Sequence, residues 1–385
     1  MRLYRIDRPA DRRAALSIIG SDPGGAAVMA QKMEVLLFRI EAMPVAAANI
    51  LKQDALSVGA DLAVPRGTVQ CAQARVRGLL MGTPRQLARL ARKQKAQPFG
   101  LAAVGEALMR FLTTESEAKV KIMGVINAND DSFYPGSRFS GSAAVAAIER
   151  MIEEGADIVD IGAVSSRPGS KPVPEEEELA RLAPLFEAIA RARLGERVRL
   201  SIDTYRPAVA EAALQSGFGI VNDITGLADA ALGEAVADHG ATLVIMHMQG
   251  TPETMQQNPR YDDTVAEVAD FFEERLARAE GVGIPAERVW LDVGIGFGKR
   301  LEDNLTLLKN LAHFRQFGCE LLVGASRKSM IDAVIPAPVE ARLPGTLAIH
   351  LEAVRRGATI VRCHDVAEHV QALALQQAIE EAKTV

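Results

Sequence analysis

VRLSIDTYRPAVAEAALQSGFGIVNDIT, residues Val198–Thr225, reads as strand, helix, strand. Each apolar strand ends on a polar group: Asp203 closes the first, and Asn222 with Asp223 closes the second. Similar strand ends recur six more times between Lys121 and Asp365. The full set is KIMGVIN, DIVDIGAV, VRLSIDT, GIVNDIT, TLVIMHM, VWLDVGI, ELLVGAS and TIVRCHD. Helical stretches such as SAAVAAIERMIEEG, EEEELARLAPLFEAIARAR and LPGTLAIHLEAVRRG lie between them. Gly155, Gly217, Gly240, Gly318 and Gly357 stand just past such stretches, where a helix end calls for a residue tolerant of positive φ. Eight apolar strands alternating with helices predict an α/β fold, a closed parallel (β/α)8 barrel. A doubly wound open sheet is the competing topology, and eight units with polar ends match it less well. In a barrel of this kind the C-terminal strand ends carry the active site.

The 385 residues, 48% hydrophobic and 24% charged, suffice for one barrel and a smaller domain. Net charge is −5, and no Lys/Arg-rich run suggests a nucleic-acid surface. Cys71, Cys319 and Cys363 lack metal-ligand spacing and fit a reducing cytoplasm. MRLYRIDRPADRR lacks a signal-peptide core, and no run of 18 apolar residues predicts a membrane span. Residues 1–115 read as a small α/β domain of unknown role and residues 116–385 as the barrel, with polar Thr113–Ala118 as linker. In the first region, GGAAVMAQKMEVLLFRIEAM and TPRQLARLARKQ have helical patterns, and the short apolar runs ALSIIG and ADLAVP suit strands.

Strand parity sorts the polar groups, because side chains alternate between faces. Ser201 and Asp203 share one face of their strand, and Arg362 and His364 share one of theirs. Asp203 and Asp292 are charges in apolar strands, costly to bury without partners, and two of them closing strands of one barrel point to function. The polar loop Asn127–Phe139 and the loop SSRPGSKPVPEEEE, with Arg167, are candidates to cover a ligand. DVGIGFGK (Asp292–Lys299) brings backbone close to a ligand through its glycines and offers the flat face of Phe297. In GASRKS, Arg327 and Lys328 are adjacent, so one enters the site while the other faces away.

GVINANDDSF, DIGAVSSRPG, SIDTYRP, VNDIT, MHMQGTP, DVGIGFGK, GASRKS and VRCHD, taken in order over about residues 121–375, resemble dihydropteroate synthase. The resemblance implies an enzyme of folate biosynthesis that joins 6-hydroxymethyl-7,8-dihydropterin diphosphate to p-aminobenzoate. It implies that Asp203, Asn222 and Asp292 take the pterin edge, that Lys328 donates to the pterin carbonyl, and that Met246 and Phe297 sandwich the ring beside Gly324. Arg362 and His364 would hold diphosphate, with Asn127 meeting a Mg²⁺ ion. Ser166, Arg167, Pro168 and Ser329 would line the aminobenzoate pocket. Asp131 joins Asp203, Asp292 and Lys328 as a catalytic candidate, ordering the first loop and the attacking amine. A cytoplasmic homodimer acting on small molecules is expected, with contacts from LPGTLAIHLEAVRRG and EHVQALALQQAIEEA.

Three stretches depart from the family pattern. Asn129 and Asp130 replace a Thr-Pro pair, Ala163–Arg167 replaces Gly-Glu-Ser-Thr-Arg, and Val293 replaces a proline. The alternatives are a corrinoid-type methyltransferase barrel, against which the cations Arg167, Lys328, Arg362 and His364 argue, and a non-catalytic pterin-binding protein.

Overall fold

A computed structural model describes residues 16, 20, 22–113, 119–127, 141–164 and 173–382. The chain divides into two compact units, Met1–Ser116 with Gln376–Val385, and Glu117–Leu375.

In the first unit, strands β1 (Leu36–Pro44), β2 (Asp61–Ala63) and β3 (Arg75–Gly82) form an antiparallel sheet in the order β1-β3-β2. β3 alternates exposed Arg75, Arg77 and Leu79 with buried Val76, Gly78 and Leu80, so it covers a core on one side only. Helix Val45–Val58 ends at Gly59, whose φ of +81° closes it. Helix Pro84–Gln94 starts from a capping box in which Thr83 and Gln86 bond reciprocally. Leu51, Leu80, Leu87 and Leu90 are fully buried in the core between these elements. ADLAVP contains β2, whereas most of ALSIIG lies outside the described residues. The helical reading of residues 24–43 holds only as far as Ala30. From Leu36 the chain is strand, because half-buried Leu36, Phe38 and Ile40 alternate with exposed Leu37 and Arg39 and set a period of two.

The second unit is a closed parallel barrel of β4 (Lys121–Asn127), β5 (Ile158–Gly162), β6 (Arg199–Asp203), β7 (Ile220–Asp223), β8 (Thr242–Met246), β9 (Val289–Asp292), β10 (Glu320–Val323) and β11 (Ile360–Cys363). All five helix-ending glycines singled out in the sequence have positive φ, from +64° at Gly240 to +100° at Gly357. One inward layer is apolar: Met123, Ile158, Ile220, Val244, Trp290, Leu322 and Ile360 are each at most 3% exposed and touch one another. The Arg199 guanidinium and the Lys121 ammonium lie 5.0 and 5.5 Å from the Trp290 ring on the N-terminal side of this plug. Two residues further along the same strands, on the same inward face, stand Asp160, Asn222, Met246, Asp292, Gly324 and Arg362. The plug is therefore the floor on which a polar layer rests.

Trp290 is the only tryptophan in the chain, so its fluorescence reports on the barrel alone. Leu322→Ala removes a fully buried plug residue and should lower barrel stability by about 2–5 kcal/mol, read as a lower urea midpoint at unchanged slope. A loss under about 1 kcal/mol would mean that the plug is not a packed core.

Candidate active site

The polar layer is organised around one guanidinium. Arg362 Nε donates to Asp160 Oδ2 at 2.6 Å, and Nη2 donates to Asp203 Oδ2 at 2.7 Å. Asn222 Nδ2 donates to the same Asp160 oxygen at 3.0 Å. Asp160 is fully buried, and the pairing offsets much of what its charge would otherwise cost. Its second oxygen, Oδ1, and the hydroxyl of Ser201, its register partner on β6, have no protein partner among the described residues. Sequence reasoning gave Asp160 no role, although it is the same signal as Asp203 and Asp292: an acid inside the apolar strand DIVDIG.

The acids are hard to ionise here. Burial pushes the Asp203 carboxyl up to about 7; Arg362 opposes this and Asp160 adds to it. Burial likewise raises the Asp292 pKa, opposed by Lys328 and by the Gly294 N–H, which donates to Asp292 Oδ1 at 2.7 Å. Burial pulls the Lys328 ammonium down to about 8, with Asp292 supporting the charged form. Arg362 remains a cation: burial works against it, but Asp160 and Asp203 raise its pKa above the ordinary value.

The loop after β9 forms one wall. Gly294, Gly296 and Gly298 have φ of +68°, +82° and +60°. A Cβ on Gly294 would lie 2.0 Å from the His247 carbonyl oxygen, and one on Gly298 would lie 2.4 Å from that of Gln249, so only glycine lets this loop lie against the segment after β8. The packing presents half-buried Phe297 beside Lys328, whose ammonium is 4.4 Å from the ring centroid and donates to the Ile295 carbonyl. Met246 lies buried at the end of β8, adjacent to the His247 segment against which the loop packs.

Arg327 and Lys328 do point apart. Arg327 forms a two-pronged bond with Asp365, at 3.0 and 2.5 Å, and Lys328 turns toward Asp292 and Phe297. A buried histidine relay runs parallel to the Arg327–Asp365 pair. The Ala325 N–H donates to His350 Nε2 at 3.0 Å, His350 Nδ1 lies 2.8 Å from His369 Nε2, and His369 Nδ1 lies 2.6 Å from the Asp365 carbonyl oxygen. Because that oxygen only accepts, His369 carries its proton on Nδ1 and His350 donates from its own Nδ1. The loops after β10 and β11 are thereby joined. The structure thus brings Asp203, Asn222, Met246, Asp292, Phe297, Gly324, Lys328 and Arg362 to one end of the barrel.

His364 lies one residue past β11, exposed, with Nδ1 2.9 Å from Ser326 Oγ. Ser329 is exposed at the start of helix Ser329–Val334. Asn127 ends β4 opposite Gly162 of β5, but its side chain, with Asp131, Ser166, Arg167 and Pro168, lies outside the described residues.

Since the Asp203 carboxyl titrates near 7 when folded and near 4 when unfolded, the native state holds the proton more tightly. Its contribution to stability therefore falls as pH rises from about 4 to about 7 and is constant above that. Urea unfolding of wild type and Asp203→Asn, followed by Trp290 fluorescence, should show wild type losing ground to the variant across that window. A difference independent of pH would show that Asp203 ionises normally.

A sequence-family model described as pterin binding enzyme matches residues 123–364. The bifunctional dihydropteroate synthase/dihydropteroate reductase of Helicobacter pylori is 38% identical over 367 residues, 95% of this chain and 96% of that protein. The dihydropteroate synthase of Escherichia coli K12 is 44% identical over 263 residues, 68% of this chain and 92% of that protein. Among solved structures, dihydropteroate synthase of Xanthomonas albilineans with 4-aminobenzoic acid is 41% identical, with a TM-score of 0.64 over 69% of this chain and 94% of that one. The Yersinia pestis dihydropteroate synthase in a sulfonamide drug complex is 38% identical, also with a TM-score of 0.64, over 69% and 95% of the two chains. Eight motifs in order, a closed barrel with acids on its inner face, and relatives of this identity agree: the chain belongs to the dihydropteroate synthases, pterin-binding transferases of folate biosynthesis.

Proposed function

We propose that the barrel joins 6-hydroxymethyl-7,8-dihydropterin diphosphate to p-aminobenzoate by dissociative substitution, using the residues gathered on its floor. The observation that carries this reading is the pair of acids, half-buried Asp203 and buried Asp292, flanking Asn222 in a layer that also holds Lys328. A pterin edge offers a guanidine-like row of N–H donors, which carboxylates accept in parallel. Asp203 and Asp292 take those donors, Asn222 completes the edge, and Lys328 donates to the pterin carbonyl and ring nitrogen. Met246 and Phe297 hold the two ring faces, and Gly324, where a Cβ would lie 3.9 Å from Asp292 Oδ2, leaves room beside them.

Arg362 spends one N–H on each of Asp160 and Asp203, which leaves three of its five for the diphosphate, with His364 as its partner. As the exocyclic C–O bond breaks, these cations offset the charge gathering on the leaving diphosphate. The ring donates electron density to the carbon left behind. The neutral aryl amine then forms the C–N bond and sheds its proton, so positioning matters more than a strong base. Ser166, Arg167, Pro168 and Ser329 line the aminobenzoate side, and Asp131 orders the first loop.

We propose Mg²⁺ as the metal. Among the described residues, no cluster of three or more His, Cys, Asp or Glu forms a metal cage. A single amide oxygen from Asn127, at a strand end between β5 and β11, suits an ion that takes most of its ligands from phosphate and water. When bound, the ion would neutralise charge on the diphosphate. We also propose a cytoplasmic homodimer, supported by the exposed Leu375 and Ile379 on helix Val366–Glu381. Among the described residues no helix is long and apolar enough to cross a membrane.

A second activity is favoured by one observation: the match to the bifunctional Helicobacter pylori protein runs over 95% of this chain and so takes in the first unit. A dihydropteroate reductase would deliver hydride to C6 and a proton to N5 of the product, drawing on a reduced flavin or nicotinamide.

Purified protein given both substrates and Mg²⁺ should release dihydropteroate and diphosphate, and a sulfonamide should compete with p-aminobenzoate. Asp292→Asn and Lys328→Met should each lower kcat/KM by about 10- to 100-fold, the scale of one hydrogen bond to a charged group. Pterin binding without product would leave a binding protein rather than a synthase. Oxidation of NADH, with or without added flavin, that depends on dihydropteroate should accompany the second activity. Its absence from the full chain under both conditions would leave the synthase alone.

A further inference from the structure

Lys299 is 3% exposed and forms no salt bridge with a described residue, an unusual position for an ammonium. Its Nζ meets three acceptors: His247 Nδ1 at 2.9 Å, the His247 carbonyl oxygen at 3.1 Å and the Phe297 carbonyl oxygen at 2.9 Å. Three acceptors match the three N–H groups of an ammonium, and a neutral amine would leave one unserved. His247 is held neutral by burial and by Lys299 itself, so Nδ1 accepts and the ring proton sits on Nε2. Burial pulls the Lys299 ammonium down to about 7, with Lys328 adding to the fall and Asp292 and Asp303 opposing it.

A buried cation costs several kcal/mol unless its partners compensate, and a methionine would fill this space without that cost. The partners show what the cation does. His247 directly follows Met246, and Phe297 lies in the loop after β9; no other described side chain bonds both residues. The Gly294–Gly298 loop is also held by Asn304, which accepts from the Gly296 N–H, and from further along the segment after β8 by Gln256, which donates to the Gly296 carbonyl, and Tyr261, which donates to the Gly298 carbonyl; Lys299 alone among the described side chains bonds His247, the residue next to Met246, and Phe297 itself.

We propose that Lys299 is a positioning residue that sets the separation between the Met246 and Phe297 walls, and so the fit of a flat bicyclic ring between them. The proposal rests on the reading of those two side chains as the ring's neighbours. Lys299 touches neither substrate. It acts through the backbone of the two segments that do.

The test is steady-state kinetics on the full chain with both substrates varied, with thermal unfolding as a control. Lys299→Met should raise KM for dihydropterin diphosphate at least tenfold while leaving KM for p-aminobenzoate within twofold. His247→Leu removes one of the three acceptors and should move the same constant by a smaller factor; it decides the matter if Lys299→Met does not fold. In a Phe297→Ala background, Lys299→Met should add less than twofold, because the wall it positions has lost its ring. An unchanged pterin KM in folded Lys299→Met, equal rises in both KM values, or a full additive loss in the Phe297→Ala background would each overturn the proposal. A wild-type protein that does not saturate with dihydropterin diphosphate would instead remove the pterin reading on which it rests.

Discussion

A carboxylate can occupy the axis of a closed barrel only if a cation reaches it there. In this chain that cation is Arg362, shared between Asp160 and Asp203. The pairing explains why β5, β6, β7 and β11 must hold their registers. A slip of one residue would turn Asp160 or Arg362 into the apolar layer between sheet and helices. It would leave an unpaired charge in the core, a change of about 3–5 kcal/mol against a total stability of about 5–15 kcal/mol. The apolar plug beneath serves the same end, because a dry floor keeps the acids from escaping into water. Core and site are one construction, separated by the two-residue period of a strand.

Much of this was legible in the sequence because the period is local. Polar residues two positions beyond an apolar inward residue recur in strand after strand, and their parity identifies the inward face without any coordinates. The same rule marks Asp160, which escaped notice because it falls before its strand's end rather than at it. Residues 36–44 misled because the helix of Ala26 and Ala30 runs into an apolar stretch whose alternation is weaker than its composition suggests. Lys299 could not have been read at all. Its three partners are brought to it by the packing of two loops, and no spacing in GFGK announces that a histidine 52 residues earlier will face it.

The departures from the family pattern are unevenly distributed. Val293 is fully buried between Asp292 and Gly294, and Asp292 still receives the Gly294 N–H, so this change leaves the acid's geometry in place. The other two changes follow β4 and β5 in the sequence; Ala163 among them is fully buried in the barrel core, and Asn129, Asp130 and Ser165–Arg167 lie outside the described residues. Strand-end chemistry is tied to the fold by burial and pairing, whereas surface loops in general tolerate more change. Asp160, Asp203 and Arg362 are accordingly held in place by stability, whatever ligand they meet.

The floor is also electrostatically incomplete by itself. Among the described residues Asp160 Oδ1 and Ser201 Oγ find no protein partner, and Asp203 and Asp292 resist ionisation because burial outweighs their cations. Each of these is a cost to the folded chain. A ligand edge rich in N–H donors would relieve the acids by giving ionised Asp203 and Asp292 the bonds that water would otherwise supply. Binding then returns stability that folding gave up, and by linkage a ligand held at 100 times its Kd would stabilise the native state by about 2.7 kcal/mol. Groups that burden the folded chain would thus supply affinity for such a ligand. That is why a barrel of this kind keeps acids where leucines would pack with less strain.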